Sequence, residues 1–279
     1  HSISSSSANL WIMKPVGMSR GRGIELIRDI SSLTYSSSTV VQRYVQNPMC
    51  LNGFKFDLRL YVLVTSFKPL EAFIYTDGFA RISTQAYNLN INNFDNKYIH
   101  LTNSSIQKQN TAGPEANNPL NATNNDTGGS KISLNGSYGL WQRLKNAGID
   151  VNMIWKHICS MIIKSLVVVN DKMSYQPNAF EVFGYDVLID KDARPWLIEV
   201  NASPSMSRES SLDHRVKNAM IRDSINLVAP PAINREALAS ILNRRINDVA
   251  SNKFTLSRSD PYLESDLSSI LNDEVPRQY

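Results

Sequence analysis

Two strand-like runs joined by a short polar turn constrain this chain more than any other feature. Ala179–Ile189 and Trp196–Val200 flank Asp190 to Arg194, which reads as a β-hairpin. If Asp190 faces Pro195, the pairing sets Asp186 opposite Glu199. Two-residue periodicity then puts Asn201 on the face of Glu199, with Trp196, Ile198 and Val200 turned the other way. Carboxylates directly across a strand pair repel, and among apolar neighbours that repulsion calls for a cation. Two carboxylates and an amide oxygen make a hard, all-oxygen donor set suited to Mg2+, which keeps several waters and binds phosphates as well. The plainer alternative is a surface hairpin whose acids face water.

Further strand signals lie upstream in Leu10–Met13, Ile24–Ile27, Val40–Val45, Phe54–Phe67 and Glu71–Ser83, the last broken by an Asp77-Gly78 turn. Along Phe54–Val64, Phe54, Phe56, Leu58, Leu60, Val62 and Val64 share one face, while Lys55, Asp57 and Arg59 share the other. That charged row fits a solvated face or a clamp for phosphate and substrate. Beside a metal-binding hairpin the clamp is the better fit, and Arg81 on the next strand can join it. After Lys14-Pro15 comes Gly17-Met-Ser-Arg20-Gly21-Arg22-Gly23. Glycines there let the backbone fold closely over phosphates, and Lys14, Arg20 and Arg22 supply charge. Gly-Lys-Ser/Thr is absent and a strand follows, so the segment is neither a P-loop nor a dinucleotide fingerprint. A simple hairpin turn would also explain it.

Residues 109–137 are rich in Asn, Thr, Gly and Ser and carry Pro114 and Pro119, which predicts a disordered surface insert. Val151, Ile154, Ile158, Ile162 and Leu166 recur at helical spacing within Val151–Val169. Helices are also predicted over Leu212–Val228, ended by Pro230-Pro231, and over Arg235–Val249. The mixture indicates an α+β fold with a mainly antiparallel sheet. Three parts result: a serine-rich leader over 1–8, read as truncated because the first strand begins so abruptly, a body over 9–229, and a C-terminal helix with a polar tail over 230–279.

Charge and cysteine content narrow the classes of function. Residues 1–110 hold 11 Lys+Arg against 6 Asp+Glu, and residues 232–279 hold 6 against 7. A basic front half would draw an acidic partner at long range, or simply solubilise the chain. The excess is too small, and no motif is present, for nucleic-acid binding. The two cysteines, Cys50 and Cys159, have no paired spacing, which argues against a disulfide framework or a structural zinc site. Lys164 interrupts the longest apolar run, Met161–Val169, so no membrane span is predicted.

Seven stretches in sequence order resemble the tubulin tyrosine ligase-like family, whose fold is the ATP-grasp. They are Trp11-Ile-Met-Lys-Pro15, Val41-Gln-Arg-Tyr-Val45, Lys55-Phe-Asp-Leu-Arg-Leu-Tyr-Val62, Asp77-Gly-Phe-Ala-Arg81, His100-Leu-Thr-Asn103, Phe183-Gly-Tyr-Asp186 and Trp196-Leu-Ile-Glu-Val-Asn-Ala-Ser-Pro204. The texture resembles the short polyglutamylase-type members most, member nine first and member one next. The resemblance implies that Lys14 and Lys55 hold ATP phosphates, with Arg20, Gly21, Arg22 and Gly23 covering them. It implies that Gln42, Arg43, Tyr44 and Val45 form the hinge receiving adenine, and that Asp57 lies near ribose and substrate. Arg59 and Arg81 would sit near the γ-phosphate and the acceptor carboxylate, with Thr102 and Asn103 lining the site. Asp186, Glu199 and Asn201 would be the magnesium ligands, in agreement with the hairpin argument. Arg22 departs from the lysine common in relatives, which keeps the charge and changes the geometry.

The activity implied is ATP-dependent ligation of free glutamate to glutamate side chains on the acidic C-terminal tails of tubulin, through an acyl phosphate. A glycylase, or an inactive tubulin-binding subunit of a ciliary ligase complex, are the alternatives. The implied setting is the cytoplasm and cytoskeleton, with a ciliary axoneme or basal body and possible complex subunits. His100 reads as structural rather than as a base.

Overall fold

A computed structural model describes residues 9–18, 21–28, 30–32, 38–122, 131–174, 176, 179–228 and 235–250. Ten strands and six α-helices occur among them. A small antiparallel sheet comes first: β1 (Trp11–Pro15), β2 (Glu25–Ile27) and β3 (Thr39–Arg43), in the order β2-β1-β3. Its register sets Ile12 opposite Gln42 and Lys14 opposite Val40. The long connection from β1 to β2 turns at Gly17, Gly21 and Gly23, each at positive φ, where a side chain would be strained.

The large sheet is built around β5 (Phe54–Phe67), entered from β4 (Cys50–Leu51) through Asn52-Gly53. Both turn residues sit at positive φ, the conformation that an Asn-Gly hairpin turn favours. β6 (Leu70–Ile74) and β7 (Phe79–Ile82) pair with β5, followed by the short helices α1 (Lys97–His100) and α2 (Ser104–Gln107). Then come β8 (Lys131–Ser133), α3 (Leu140–Asn146), α4 (Val151–Asn170), and the hairpin β9 (Glu181–Ile189) and β10 (Pro195–Asn201). The seven strands run β10-β9-β5-β7-β8, with β4 and β6 also on β5. Every pairing is antiparallel, so the α+β expectation holds. Helix α5 (Ser211–Val228) follows, then α6 (Arg235–Ala250). Contacts divide the chain into one unit through Arg222 and a second from Asp223.

The alternation read along β5 is realised on both faces. Phe56, Leu58, Leu60 and Val62 are fully buried in the core together with Ile154, Ile158 and Ile162 of α4. Asp150 caps α4 by accepting a hydrogen bond from the Met153 amide at 3.0 Å. By length and composition α4 could cross a bilayer, despite Lys164. Its apolar stripe is instead spent on the sheet, as in a core helix.

The expectation of a disordered insert over 109–137 fails where residues are described. Pro119–Ala122 forms a 3-10 turn, Leu120 joins the core, and the buried Asn118 amide donates to the Ser83 carbonyl at 2.8 Å. Lys131–Ser133 pairs with β7, and Ile132 and Leu134 are buried. Polar composition masked a period-two pattern of four residues, too short to stand out from the Asn- and Gly-rich run before it. Residues 123–130 lie outside the described residues.

Ile158→Ala should cost about 2–5 kcal/mol through the cavity it leaves. Val168→Ala, 79% exposed on the same helix, should change stability by less than about 0.5 kcal/mol. Urea denaturation of both variants tests this; equal losses would mean that α4 does not pack as described.

Candidate functional site

The register of the large sheet carries the charged row of β5 into contact with its neighbours. Arg59 stands opposite Asp186 of β9 and Phe79 of β7, and Asp57 stands opposite Arg81. Asp186 in turn stands opposite Glu199 of β10. Alternation places these side chains on the face away from the core. Arg59 Nε donates to Asp186 Oδ1 at 2.5 Å, and an Arg81 terminal nitrogen donates to Asp186 Oδ2 at 2.8 Å. Arg81 also grips both oxygens of Asp57, at 2.7 and 2.5 Å. Asp57, expected beside ribose, thus acts first as the holder of Arg81. Burial disfavours ionised Asp186, yet Arg81 and Arg59 outweigh it and hold the carboxyl at about 2. Burial likewise disfavours the Arg81 cation, and Asp57 and Asp186 more than offset it.

The hairpin reaches the expected pairing of Asp186 with Glu199 by a different register. Pro195 faces Ile189 rather than Asp190, and Leu197 faces Val187. A bulge at Ile198 then shifts the pairing by one residue, bringing Glu199 opposite Asp186 and Asn201 opposite Gly184. Trp196 consequently pairs with the cleft-lining Leu188, and Ile198 lines the cleft beside Glu199. Neither side chain is turned away as strict alternation required. Asp190 closes the turn by accepting from the amides of Asp192 and Arg194 and from the Trp196 indole.

Burial, and then the adjoining Asp186 carboxyl within hydrogen-bond reach, raise the pKa of Glu199. The Asn201 side-chain nitrogen donates to Glu199 Oε1 and to the Gly184 carbonyl, both at 3.2 Å, leaving its amide oxygen outside these bonds. Arg59 and Arg81 already meet the charge of Asp186, so the repulsion between the two carboxyls falls on Glu199. Among the described residues no group of three or more His, Cys, Asp or Glu forms a ligand cage. A cation here would complete its shell with water or phosphate oxygens, which suits Mg2+.

A narrow cavity of about 110 Å3 opens beside this row. Its apolar walls are Ile12, Ile24, Leu188 and Ile198, the Gln42–Val45 segment with Arg43 and Tyr44 runs along it, and Thr102 and Asn103 line it too. Lys14 and Lys55 line it, as do Arg43 and Arg81. Lys14 donates to Gln42 Oε1 at 3.1 Å, and Lys55 donates to the His100 carbonyl at 2.7 Å and the Tyr44 hydroxyl at 3.1 Å. Among the described residues neither lysine forms a salt bridge. Burial lowers both, Lys55 to about 8. Two cations at a partly apolar cleft without a bonded carboxylate are ready for an anionic ligand.

A wider cavity of about 420 Å3 adjoins it, with Arg81, Asn103 and Glu199 lining both. Arg59 and Asn201 face this wider space, along with three residues that the sequence did not single out: Lys131, Asp213 and Lys217. Asp213 is buried and accepts both oxygens' worth of bonds from Lys131 at 2.8 Å, and pairs with Lys217 at 3.0 Å. Both ammonium groups lie over the Phe79 ring, at 5.0 and 5.8 Å. Lys131 was hidden in the polar insert. The spacing of Asp213 and Lys217, four apart on a helix, was the one available signal. At the rim an exposed ion pair joins Lys108 to Glu209.

The glycine segment meets the site from the side. A Cβ on Gly21 would lie 2.4 Å from the tip of the Ile106 side chain, and its φ of 74° would strain any residue but glycine. Gly23 packs on Pro15, Arg22 is exposed and lines neither cavity, and Arg20 lies outside the described residues.

Residues 2–237 match the family described as the tubulin-tyrosine ligase family. The chain is 36% identical to the Homo sapiens protein named probable tubulin polyglutamylase TTLL2, over 78% of this chain and 35% of that protein. It is 36% identical to tubulin monoglutamylase TTLL4 of Mus musculus, over 85% of this chain and 20% of the relative. It is 34% identical to tubulin polyglutamylase TTLL5 of Mus musculus, over 95% and 21%. The chain therefore spans only about a fifth to a third of the length of these relatives.

Asp186 gives the site a stability signature. Its pKa of about 2 lies below the reference 3.8, so its contribution is complete above about pH 4 and is lost as pH falls toward 2. A shift of that size is worth roughly 2 kcal/mol. Denaturation midpoints between pH 2 and 5 should show this component in the parent and lack it in Asp186→Asn; an unchanged slope in the variant would rule out Asp186 as its source.

Proposed function

The chain belongs to the tubulin-tyrosine ligase family, and from that premise we propose that it is the catalytic part of an ATP-dependent ligase that adds glutamate to glutamate side chains in the acidic tails of tubulin. What carries the reading is the junction of the two cavities at Arg81, Asn103 and Glu199. A phosphoryl donor on one side and an acidic acceptor on the other would meet beside two arginines. The relatives named polyglutamylase or monoglutamylase favour glutamate as the added amino acid.

Lys14 and Lys55 would hold the phosphates, and the Gln42–Val45 segment would receive the adenine. Asp186, Glu199 and Asn201 would hold Mg2+, which would neutralise phosphate charge. Arg59 and Arg81 would stabilise charge as the γ-phosphoryl group moves to the acceptor carboxylate, giving an acyl phosphate. The α-amine of free glutamate then attacks the acyl carbon, an isopeptide bond forms, phosphate leaves and a proton passes to solvent. Phosphoryl transfer depends mainly on positioning and charge stabilisation, so no nucleophilic side chain is needed. In the wider cavity, the Lys131–Asp213–Lys217 cluster and Arg59 suit the carboxylates of the acceptor and the incoming amino acid. A tubulin substrate implies association with the cytoskeleton. A ciliary axoneme or basal body, with additional complex subunits, is the setting proposed.

Incubation with taxol-stabilised microtubules, Mg-ATP and labelled glutamate should give incorporation that falls at least about a hundredfold in Glu199→Gln, as for loss of a charge-stabilising group. Glycine incorporation in a parallel reaction would replace the substrate assignment with a glycylase. ATP binding without incorporation of either amino acid would favour an inactive tubulin-binding subunit.

A further inference from the structure

Lys55 is held by an ordered chain of hydrogen bonds that ends on a buried histidine with no part in the reaction outlined above. Its ammonium has three N–H donors. One goes to the His100 carbonyl at 2.7 Å and one to the Tyr44 hydroxyl at 3.1 Å. The ammonium also lies 4.7 Å from the centre of the Tyr44 ring. A hydroxyl that accepts from an ammonium passes its own proton onward: His100 Nδ1 lies 3.1 Å from it, and the Tyr87 hydroxyl, itself donating to the Gln46 carbonyl at 2.8 Å, is also within hydrogen-bond reach. His100 Nε2 lies 3.1 Å from the Asn93 carbonyl, which can only accept. The network therefore assigns the proton to Nε2 and leaves Nδ1 as the acceptor.

We propose that His100, as the neutral Nε2–H tautomer, is a positioning residue: it fixes the Tyr44 hydroxyl so that its lone pair faces Lys55, leaving the third Lys55 N–H for a phosphate oxygen in the cleft. The proposal rests on the reading of that cleft as the nucleotide site. Edge-on contacts hold the imidazole, with the Tyr44, Tyr87 and Phe94 rings centred 5.9, 5.9 and 6.2 Å away. A charged imidazole would offer two donors and could no longer accept the Tyr44 proton. Burial, aided by the Lys55 cation, prevents this by lowering His100 to about 4.

The groups facing Lys55 come from several neighbouring elements: Lys14 from β1, Cys50 from β4, Asp57 from β5, and Tyr44 and His100. Burial disfavours its charge and Lys14 opposes it, while Asp57 and Cys50 favour it. Losing the Tyr44 acceptor should therefore make the ammonium harder to keep, and anion binding should fade at lower pH.

The test measures Mg-ATP affinity of the full chain by calorimetry from pH 6.5 to 9.5, alongside KM for ATP and for glutamate. Tyr44→Phe and His100→Leu should each weaken ATP binding about tenfold, the effect of one hydrogen bond to a charged group. Each should also shift the alkaline loss of affinity to lower pH, with KM for glutamate unchanged. His100→Asn, whose amide oxygen can stand in for Nδ1, should restore most of both. Should His100→Leu fold poorly, the near-isosteric Tyr44→Phe carries the same test. A lowered melting temperature with unaltered ATP affinity and pH profile in both variants would overturn the proposal. Lys55→Met separates the two levels. If it weakens ATP binding while the Tyr44 and His100 variants do not, the relay fails alone. If it too is silent, the nucleotide reading beneath it fails.

Discussion

One buried carboxylate with an arginine on each of two sides organises this molecule. Asp186 joins β9 to Arg59 on β5 and to Arg81 on β7, and Arg81 is gripped in turn by Asp57. Removing the carboxylate would take from Arg59 the salt bridge it makes and leave Arg81 with Asp57 alone, a costlier change than losing a surface pair. The network therefore constrains the register of three strands at once. It also sets the electrostatics of everything nearby, because Glu199 must sit beside a carboxyl that stays ionised.

The two faces of the large sheet follow from that arrangement. Phe56, Leu58, Leu60 and Val62 face the core, where α4 lays Ile154, Ile158 and Ile162 against the sheet. Lys55, Asp57 and Arg59 alternate with them and face the cavities. A rigid apolar layer thus sits directly beneath the charged row. Movement of any charged group would have to disturb close-packed side chains, so the geometry is preorganised, as charge-stabilising sites require.

Much of the site was legible because its residues lie on strands. Period-two alternation put Lys55, Asp57 and Arg59 on one face, and carboxylates within an apolar hairpin marked Asp186 and Glu199. The hairpin also shows the limit of that logic. Simple alternation paired the right acids with a turn register off by one, and the bulge at Ile198 restored the match. Nothing local in the sequence marks a bulge, since it is decided by how β10 fits against β9 and the cleft. Lys131 was lost for another reason: three residues of strand following an Asn- and Gly-rich run are too few to show a period. His100 read as merely structural because its bonds to Tyr44 and Lys55 span 56 and 45 residues.

The sequence by itself determined which side chains share a face, since backbone geometry alternates side chains along a strand and repeats them every three to four residues along a helix. It determined the apolar stripe of α4, the two-faced β5 and the need for glycine near the small sheet. The tertiary structure alone decided which faces meet. Arg81 reaches Asp186 across 105 residues, and Lys131 reaches Asp213 across 82. Such pairs leave no local trace, because they form only once chain closure and core packing have fixed where the strands lie.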